Sequence, residues 1–101
     1  MTSCCLSLVF PRSLEDDLAD YLLAYPHSID SMTIIRAEGL GHGLVLRDAT
    51  EKVRGRAARY TLQIVLPAET AGHLIADLKK DMANGDVSYW LVPVLDYGRL
   101  G

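Results

Sequence analysis

Apolar and polar residues alternate along this chain in two patterns, one typical of strands and one typical of helices. The clearest strand pattern lies in residues 59–66. Every second residue there is large and apolar, which predicts that one face of the strand is buried: Tyr60, Leu62, Ile64 and Leu66. Short apolar runs predict three further strands, in residues 4–10, 31–38 and 87–95.

Two segments have apolar residues at helical spacing. The first helix is predicted over residues 13–25, with Ser13 as its N-cap, acidic residues in its first turn and Pro26 just after its end. The second is predicted to begin at Pro67 and to end in a left-handed turn at Asn84-Gly85. The two apolar stripes consist of Leu14, Leu18, Tyr21, Leu22 and Tyr25, and of Ala71, Leu74, Ile75, Leu78 and Met82.

This order of elements predicts a single domain over residues 1–101 with an α+β, ferredoxin-like β-α-β-β-α-β fold. We expect a four-stranded antiparallel sheet, two helices on one face, and a long loop over residues 39–57 between strands 2 and 3. Two helices cover only one face of such a sheet. The other face is expected to be apolar and covered by another subunit, and to carry Cys5, Val9, Thr33, Ile35, Thr61 and Val65.

The last predicted strand contains the adjacent aromatic residues Tyr89 and Trp90. Neighbours in a strand point to opposite faces, so we expect one ring in the core under the helices and the other at the subunit interface. Pro93 lacks a backbone N–H and therefore predicts that this end of the strand lies at an edge of the sheet or at a bulge.

Composition narrows the classes of function. The net charge of −3 argues against nucleic acid as a partner, because binding to phosphates depends on an excess of Lys and Arg. No apolar run approaches the ~20 residues needed to cross a membrane, and the N-terminus lacks a signal-peptide pattern. We therefore expect a cytoplasmic protein without membrane insertion.

The charge is concentrated in one part of the chain. Residues 36–59 contain six basic and three acidic residues, a net +3 within a chain of net −3, so the remainder carries −6. The same segment holds four of the eight glycines. Exposed backbone N–H groups and guanidinium groups bind anions, which makes this segment a candidate ligand site. The alternative is a soluble hairpin tip whose arginines pair with neighbouring carboxylates. The candidate ligand-binding residues are Gly39, Gly41, His42, Gly43, Arg54, Arg56 and Arg59.

Three residues are candidate metal ligands. His42 lies between two glycines, and a zinc or copper site would need two to four ligands, supplied by further copies of the chain or by residues elsewhere. Cys4 and Cys5 are soft donors suited to copper(I) or zinc, although buried cysteines are more often inert. His27 and His73 are expected to be ordinary surface residues.

An enzyme is not expected. The sequence offers no nucleophile with a plausible neighbouring base and no sheltered pair of carboxylates. The acidic cluster near the start of the first helix is better explained by helix capping and solvent exposure.

Several short motifs, in order along the chain, resemble the PII-like superfamily of small trimeric signalling proteins. The chain is most similar to an uncharacterised family of that superfamily whose genes often neighbour heavy-metal efflux systems. The motifs are Cys5-Leu6-Ser7-Leu8-Val9 with Pro11, Gly41-His42-Gly43, Val53-x-Gly55-Arg56, Leu66-Pro67, Tyr89-Trp90-x-x-Pro93-Val94 and Gly98-Arg99. The sequence departs from the pattern at Met32-Thr33-Ile34-Ile35, where the family often has phenylalanines, and at Asn84-Gly85-Asp86, where PII proteins carry a glycine-rich nucleotide loop.

The resemblance implies a homotrimer with inward-facing sheets and small ligands in the clefts between subunits. It also implies a long loop that docks on a partner, often a membrane transporter. The expected function is a signalling or regulatory protein, with an adenine nucleotide or a divalent or copper ion as candidate ligand and a heavy-metal efflux transporter as candidate partner. The alternative is a metal-binding accessory protein, for copper or zinc, that serves heavy-metal tolerance.

Overall fold

The computed structural model describes residues 2–27, 29, 31–40 and 57–101 of the chain. Within these residues, four strands and two helices form in the predicted order, and a short 3₁₀ turn precedes the first helix. The elements are β1 (Ser3–Pro11), the 3₁₀ turn (Arg12–Leu14), α1 (Glu15–Leu23), β2 (Thr33–Gly39), β3 (Ala57–Pro67), α2 (Ala68–Asp81) and β4 (Ser88–Val94).

The four strands form one antiparallel sheet in the order β2-β3-β1-β4. This is the ferredoxin-like arrangement that the order of elements predicts, with both helices on one face. β2 and β4 are the two edge strands, so the prediction that the strand containing Pro93 lies at an edge is confirmed.

The core lies between the central strands and the helices. Most residues of β1 and β3 that alternate towards the helices are nearly inaccessible to solvent, whereas Tyr60 is only partly buried. The buried Leu6, for example, pairs with Ile64 across the two strands. Burial of such side chains stabilises the fold by roughly 1.5–3 kcal/mol each. The buried apolar residues are Cys4, Leu6, Leu8, Phe10, Leu18, Leu22, Leu62, Ile64, Leu66, Ala71 and Leu74.

The start of α1 differs from its prediction. Ser13 lies inside the 3₁₀ turn, and the residue at the N-cap position is Leu14, without a side-chain capping hydrogen bond. The prediction of Ser13 as N-cap is therefore wrong, since the turn places it before the helix begins at Glu15. The acidic residues of the first turn are present as predicted and interact favourably with the helix dipole.

The end of α2 also differs. The chain leaves the helix at Met82 with φ −134°, and Gly85 does not adopt a left-handed conformation. Instead, the side-chain oxygen of Asn84 accepts a hydrogen bond of 2.8 Å from the backbone N–H of Asp86, and its carbonyl accepts one of 3.1 Å from Val87. The side chain of Asn84 thus closes the turn, which removes the need for positive φ at Gly85.

No helix in the described ranges is long and apolar enough to cross a membrane.

Candidate functional site

The end of the β2–β3 hairpin is the part of the predicted ligand site that the structure describes. Gly39 is the last residue of β2 and pairs with Ala57, the first residue of β3. Arg59 pairs with Ala37, so Gly39 and Arg59 lie near each other where the basic connection leaves the sheet. The other predicted ligand-binding residues lie outside the described residues: Gly41, His42, Gly43, Arg54 and Arg56.

Arg59 is buried at this hairpin end, with only 3% of its surface exposed. It lies on the sheet face that carries no helices, next to Pro11 of β1, and its Nη1 donates a hydrogen bond of 3.0 Å to the carbonyl of Ala58. A buried guanidinium is tolerated only where its N–H groups are satisfied, and the contact with Ala58 satisfies one of them. The hairpin end therefore carries a positioned positive charge, and the role of Arg59 in anion binding stays a prediction.

The face of the sheet opposite the helices, here called the open sheet face, carries polar side chains such as Ser7 and Gln63 and also several apolar ones. Three of them remain substantially exposed: Ile35 (44%), Trp90 (47%) and Val92 (44%). The strand register places six residues on the open sheet face, and these are the six that the sequence predicts for it: Cys5, Val9, Thr33, Ile35, Thr61 and Val65. An exposed apolar area of this kind is typical of an interaction surface.

Tyr89 and Trp90 point to opposite faces, as predicted, but neither ring is buried. Tyr89 lies on the helix side and is 42% exposed, so the prediction that one ring belongs to the core is wrong. The reason is that β4 is an edge strand, whereas the residues packed under α1 and α2 come from the central strands.

Cys4 and Cys5 lie on opposite faces of β1. Cys4 is in the core under the helices, and Cys5 is half-buried on the open sheet face, so the two sulfurs diverge within one chain. Burial, and secondarily the neighbouring Cys5, raises the pKa of Cys4 and disfavours the thiolate that binds metals. In the part of the chain that the structure covers, no group of three or more His, Cys, Asp or Glu side chains could hold a metal ion.

Two tyrosines, one in α1 and one just after it, donate hydrogen bonds to α2 that the sequence does not predict. The Tyr21 hydroxyl donates to Asp81 Oδ2 at 2.8 Å, and the Tyr25 hydroxyl donates to Asp77 Oδ2 at 2.6 Å. Partial burial and these bonds to carboxylates raise the pKa of both tyrosines to about 12. The two tyrosines are four residues apart in the sequence, and so are the two aspartates. Residues four apart lie on the same face of a helix, so this spacing could have indicated that the two pairs meet where the helices pack.

A second unexpected association involves His27 and His73. Both are exposed, as predicted, but their rings lie 6.3 Å apart, and His27 also lies 5.7 Å from the ring of Tyr25. This row of rings connects the segment after α1 to the outer side of α2. No local pattern in the sequence could have shown it, because the two histidines meet only through the packing of the helices.

With this geometry in place, comparison with known proteins gives the family. A model of the family described as "Protein of unknown function (DUF3240)" matches residues 1–101, which is the whole chain. The chain belongs to the DUF3240 family. No curated protein matches it.

Solved structures show the same fold. A DUF3240 family protein from Shewanella baltica OS155 is 19% identical, with 100% of this chain and 99% of that chain covered and a TM-score of 0.78. GlnK of Bacillus subtilis, solved as a complex with ATP, is 15% identical, with 92% and 82% covered and a TM-score of 0.60. A Bacillus cereus protein related to NIF3 is 13% identical with a TM-score of 0.67, with 97% of this chain but only 26% of that protein covered. These matches confirm the predicted ferredoxin-like fold, and the family match confirms the predicted similarity to an uncharacterised family.

Proposed function

We propose that this DUF3240 protein is an oligomeric regulatory protein that binds a small ligand between subunits and acts by docking on a partner. The observation that carries the proposal is the open sheet face, which leaves half-exposed apolar residues on a fold shared with GlnK. The proposed assembly is a homotrimer in which the open sheet faces of three copies pack together.

The open sheet face supports association because its uncovered side chains include an aromatic residue and several aliphatic ones. Exposed Ile35 lies on β2, at one edge of the face, and exposed Trp90 and Val92 lie on β4, at the other edge. Removing apolar surface from water contributes roughly 25 cal/mol per Å², so their burial against a second copy favours assembly. Aromatic residues are also enriched at the energetically dominant positions of interfaces.

The proposed ligand site lies at the end of the β2–β3 hairpin. Gly39 and Arg59 mark the place where the basic, glycine-rich segment joins the sheet, and Arg59 belongs to the open sheet face. In the proposed trimer this end of the sheet adjoins a neighbouring subunit. A phosphate-bearing ligand such as an adenine nucleotide suits its positive charge, and the ATP complex of GlnK supports the choice of nucleotide.

The partner belongs to the same proposal. The segment of residues 41–56 would present its basic residues to a partner surface, and the class of partner favoured by the family resemblance is a membrane transporter. The proposal assigns no catalytic residue.

Assembly is tested by native mass spectrometry and sedimentation of the purified protein together with two adjacent variants. Ile35→Glu places a charge on the open sheet face, whereas Ile34→Glu places it on the opposite face at an equally exposed position, 43% against 44%. We expect trimers for the unmodified protein and for Ile34→Glu, and smaller species for Ile35→Glu. A protein that is monomeric at all accessible concentrations would contradict the proposed assembly.

Ligand binding is tested separately by titration with ATP, ADP and AMP. The Arg54→Gln and Arg56→Gln variants remove positive charges of the predicted site, and Lys80→Gln, at the end of α2, is the matched control. We expect weaker nucleotide binding only in the two arginine variants. A trimer that binds no nucleotide would leave the assembly standing and reject the nucleotide as ligand.

A further inference from the structure

A pocket with a volume of about 450 Å³ opens on the helix side of the molecule, away from the open sheet face. It lies between the 3₁₀ turn, the C-terminal half of α2, the turn that follows α2 and the start of β4. Pockets that bind small molecules commonly measure roughly 300–1,000 Å³, so the size is sufficient for a small ligand.

The wall of the pocket is mostly apolar. Leu8 and Leu18 form part of its floor and belong to the buried core, whereas Leu14, Ile75 and Met82 are only partly buried. The helices and the β4 edge do not close over these side chains. Their remaining apolar surface would be covered by a ligand with an apolar body.

One cation lies at the rim. The Nζ atom of Lys79 is 5.3 Å from the centroid of the Tyr89 ring, and both residues line the pocket. Among the residues that the structure describes, no carboxylate forms an ion pair with Lys79. The carboxylate of Asp81, also at the rim, already accepts the hydrogen bond from Tyr21.

From the apolar wall and the ammonium group of Lys79, we infer that the pocket binds a small amphipathic anion. The alkyl chain or aromatic ring of the ligand lies inside the pocket, and its carboxylate or sulfonate lies beside Lys79. The cation–π contact with Tyr89 holds the ammonium group near the opening, where an anionic head would meet it. The site is formed by one chain, so it does not depend on the proposed oligomer or on the basic segment between β2 and β3.

The pocket can be filled without disturbing the core. Gly85 lines it, has no left-handed conformation, and a Cβ atom built there meets no atom within 4 Å. Gly85→Phe therefore adds a ring at the lining of the pocket without a clash at its Cβ atom. Gly72→Phe is a matched control, because Gly72 also has no atom within 4 Å of such a Cβ, lies on α2 and does not line the pocket.

The experiment is a fluorescence titration with 1-anilinonaphthalene-8-sulfonate, followed by displacement with octanoate and with octanol. We expect saturable binding to the unmodified protein and to Gly72→Phe, and binding weakened at least ~10-fold in Gly85→Phe. Lys79→Gln should weaken octanoate binding about threefold to fivefold and leave octanol binding unchanged, whereas the neighbouring Lys80→Gln should change neither.

The inference would be overturned by no saturable binding to the unmodified protein, by equal binding to the Gly85→Phe and Gly72→Phe variants, or by equal octanoate affinity in the Lys79→Gln and Lys80→Gln variants. The Ile35→Glu variant separates this site from the assembly. Probe binding that persists in Ile35→Glu supports a site within one chain. Probe binding that is lost in Ile35→Glu but kept in Gly85→Phe would place the probe on the open sheet face and reject the pocket.

Discussion

Tyr25 lies two residues beyond the end of α1, and its hydroxyl donates a hydrogen bond of 2.6 Å to Asp77 in the middle of α2. Tyr21 forms the matching bond to Asp81 one helical turn away. The two bonds join the α1 region to α2. Their contribution to stability can be tested by removing the hydroxyl groups and by raising the pH.

Replacing Tyr25 by Phe should destabilise the protein by about 1–2 kcal/mol, because it removes a hydrogen bond to a charged group while keeping the ring. Urea unfolding at pH 7 measures the change. Tyr97→Phe is the control, since Tyr97 is exposed and lies in the C-terminal segment beyond β4. Equal stability of the two variants would show that the Tyr25–Asp77 bond contributes nothing.

Stability should fall as the pH rises from 10.0 to about 12. The folded state raises the pKa of Tyr21 and Tyr25 from 10.0 to about 12, so it holds these protons more tightly than the unfolded state does. Their contribution is complete below pH 10.0 and is lost as the pH rises through the folded pKa. The slope should be smaller in the Tyr21→Phe/Tyr25→Phe double variant, measured by urea unfolding at several pH values. An unchanged slope would contradict the assigned pKa values.

The core between α2 and the sheet should be sensitive to cavities. Leu74 is fully buried, so Leu74→Ala should cost about 2–5 kcal/mol of unfolding free energy. Leu23, on α1, is 71% exposed, and Leu23→Ala should change stability by less than about 0.5 kcal/mol. A small effect of Leu74→Ala, comparable with that of Leu23→Ala, would mean that this part of the core is loosely packed.

The sequence predicts the sheet, its helix face and its open face because side-chain alternation in β3 is regular and short apolar runs mark the other strands. It also predicts the apolar stripes of both helices, including the buried positions Leu18 and Leu74. These features depend on residues close together in the chain, where periodicity is informative.

Some details of the structure cannot be predicted from the sequence. They depend on contacts between segments that are distant in the chain, or on a local conformation that replaces the expected one. Ser13 has a side chain suited to an N-cap, but the 3₁₀ turn after β1 moves the start of the helix past it. The ring of Tyr89 is not buried because β4 lies at the sheet edge, and the pocket beside it depends on how α2 ends. The ligand residues of the basic segment are predicted from composition, and only Gly39 and Arg59 among them are described by the structure.

The two cysteines should report on the core and on the assembly separately. Cys4 is buried and its pKa is raised by burial, so in a Cys5→Ser variant the remaining thiol should react with iodoacetamide only as fast as the core opens. Urea should accelerate that reaction strongly.

In a Cys4→Ser variant the remaining thiol, Cys5, lies half-buried on the open sheet face. If three copies bury this face, Cys5 should react slowly at high protein concentration and faster on dilution or when Ile35→Glu is added. The extent of modification is measured by intact mass at fixed times. Ile34→Glu, on the opposite face, should leave the rate unchanged. Cys5 that reacts equally fast in all these conditions would show that the open sheet face stays accessible to solvent, and that would contradict the proposed trimer.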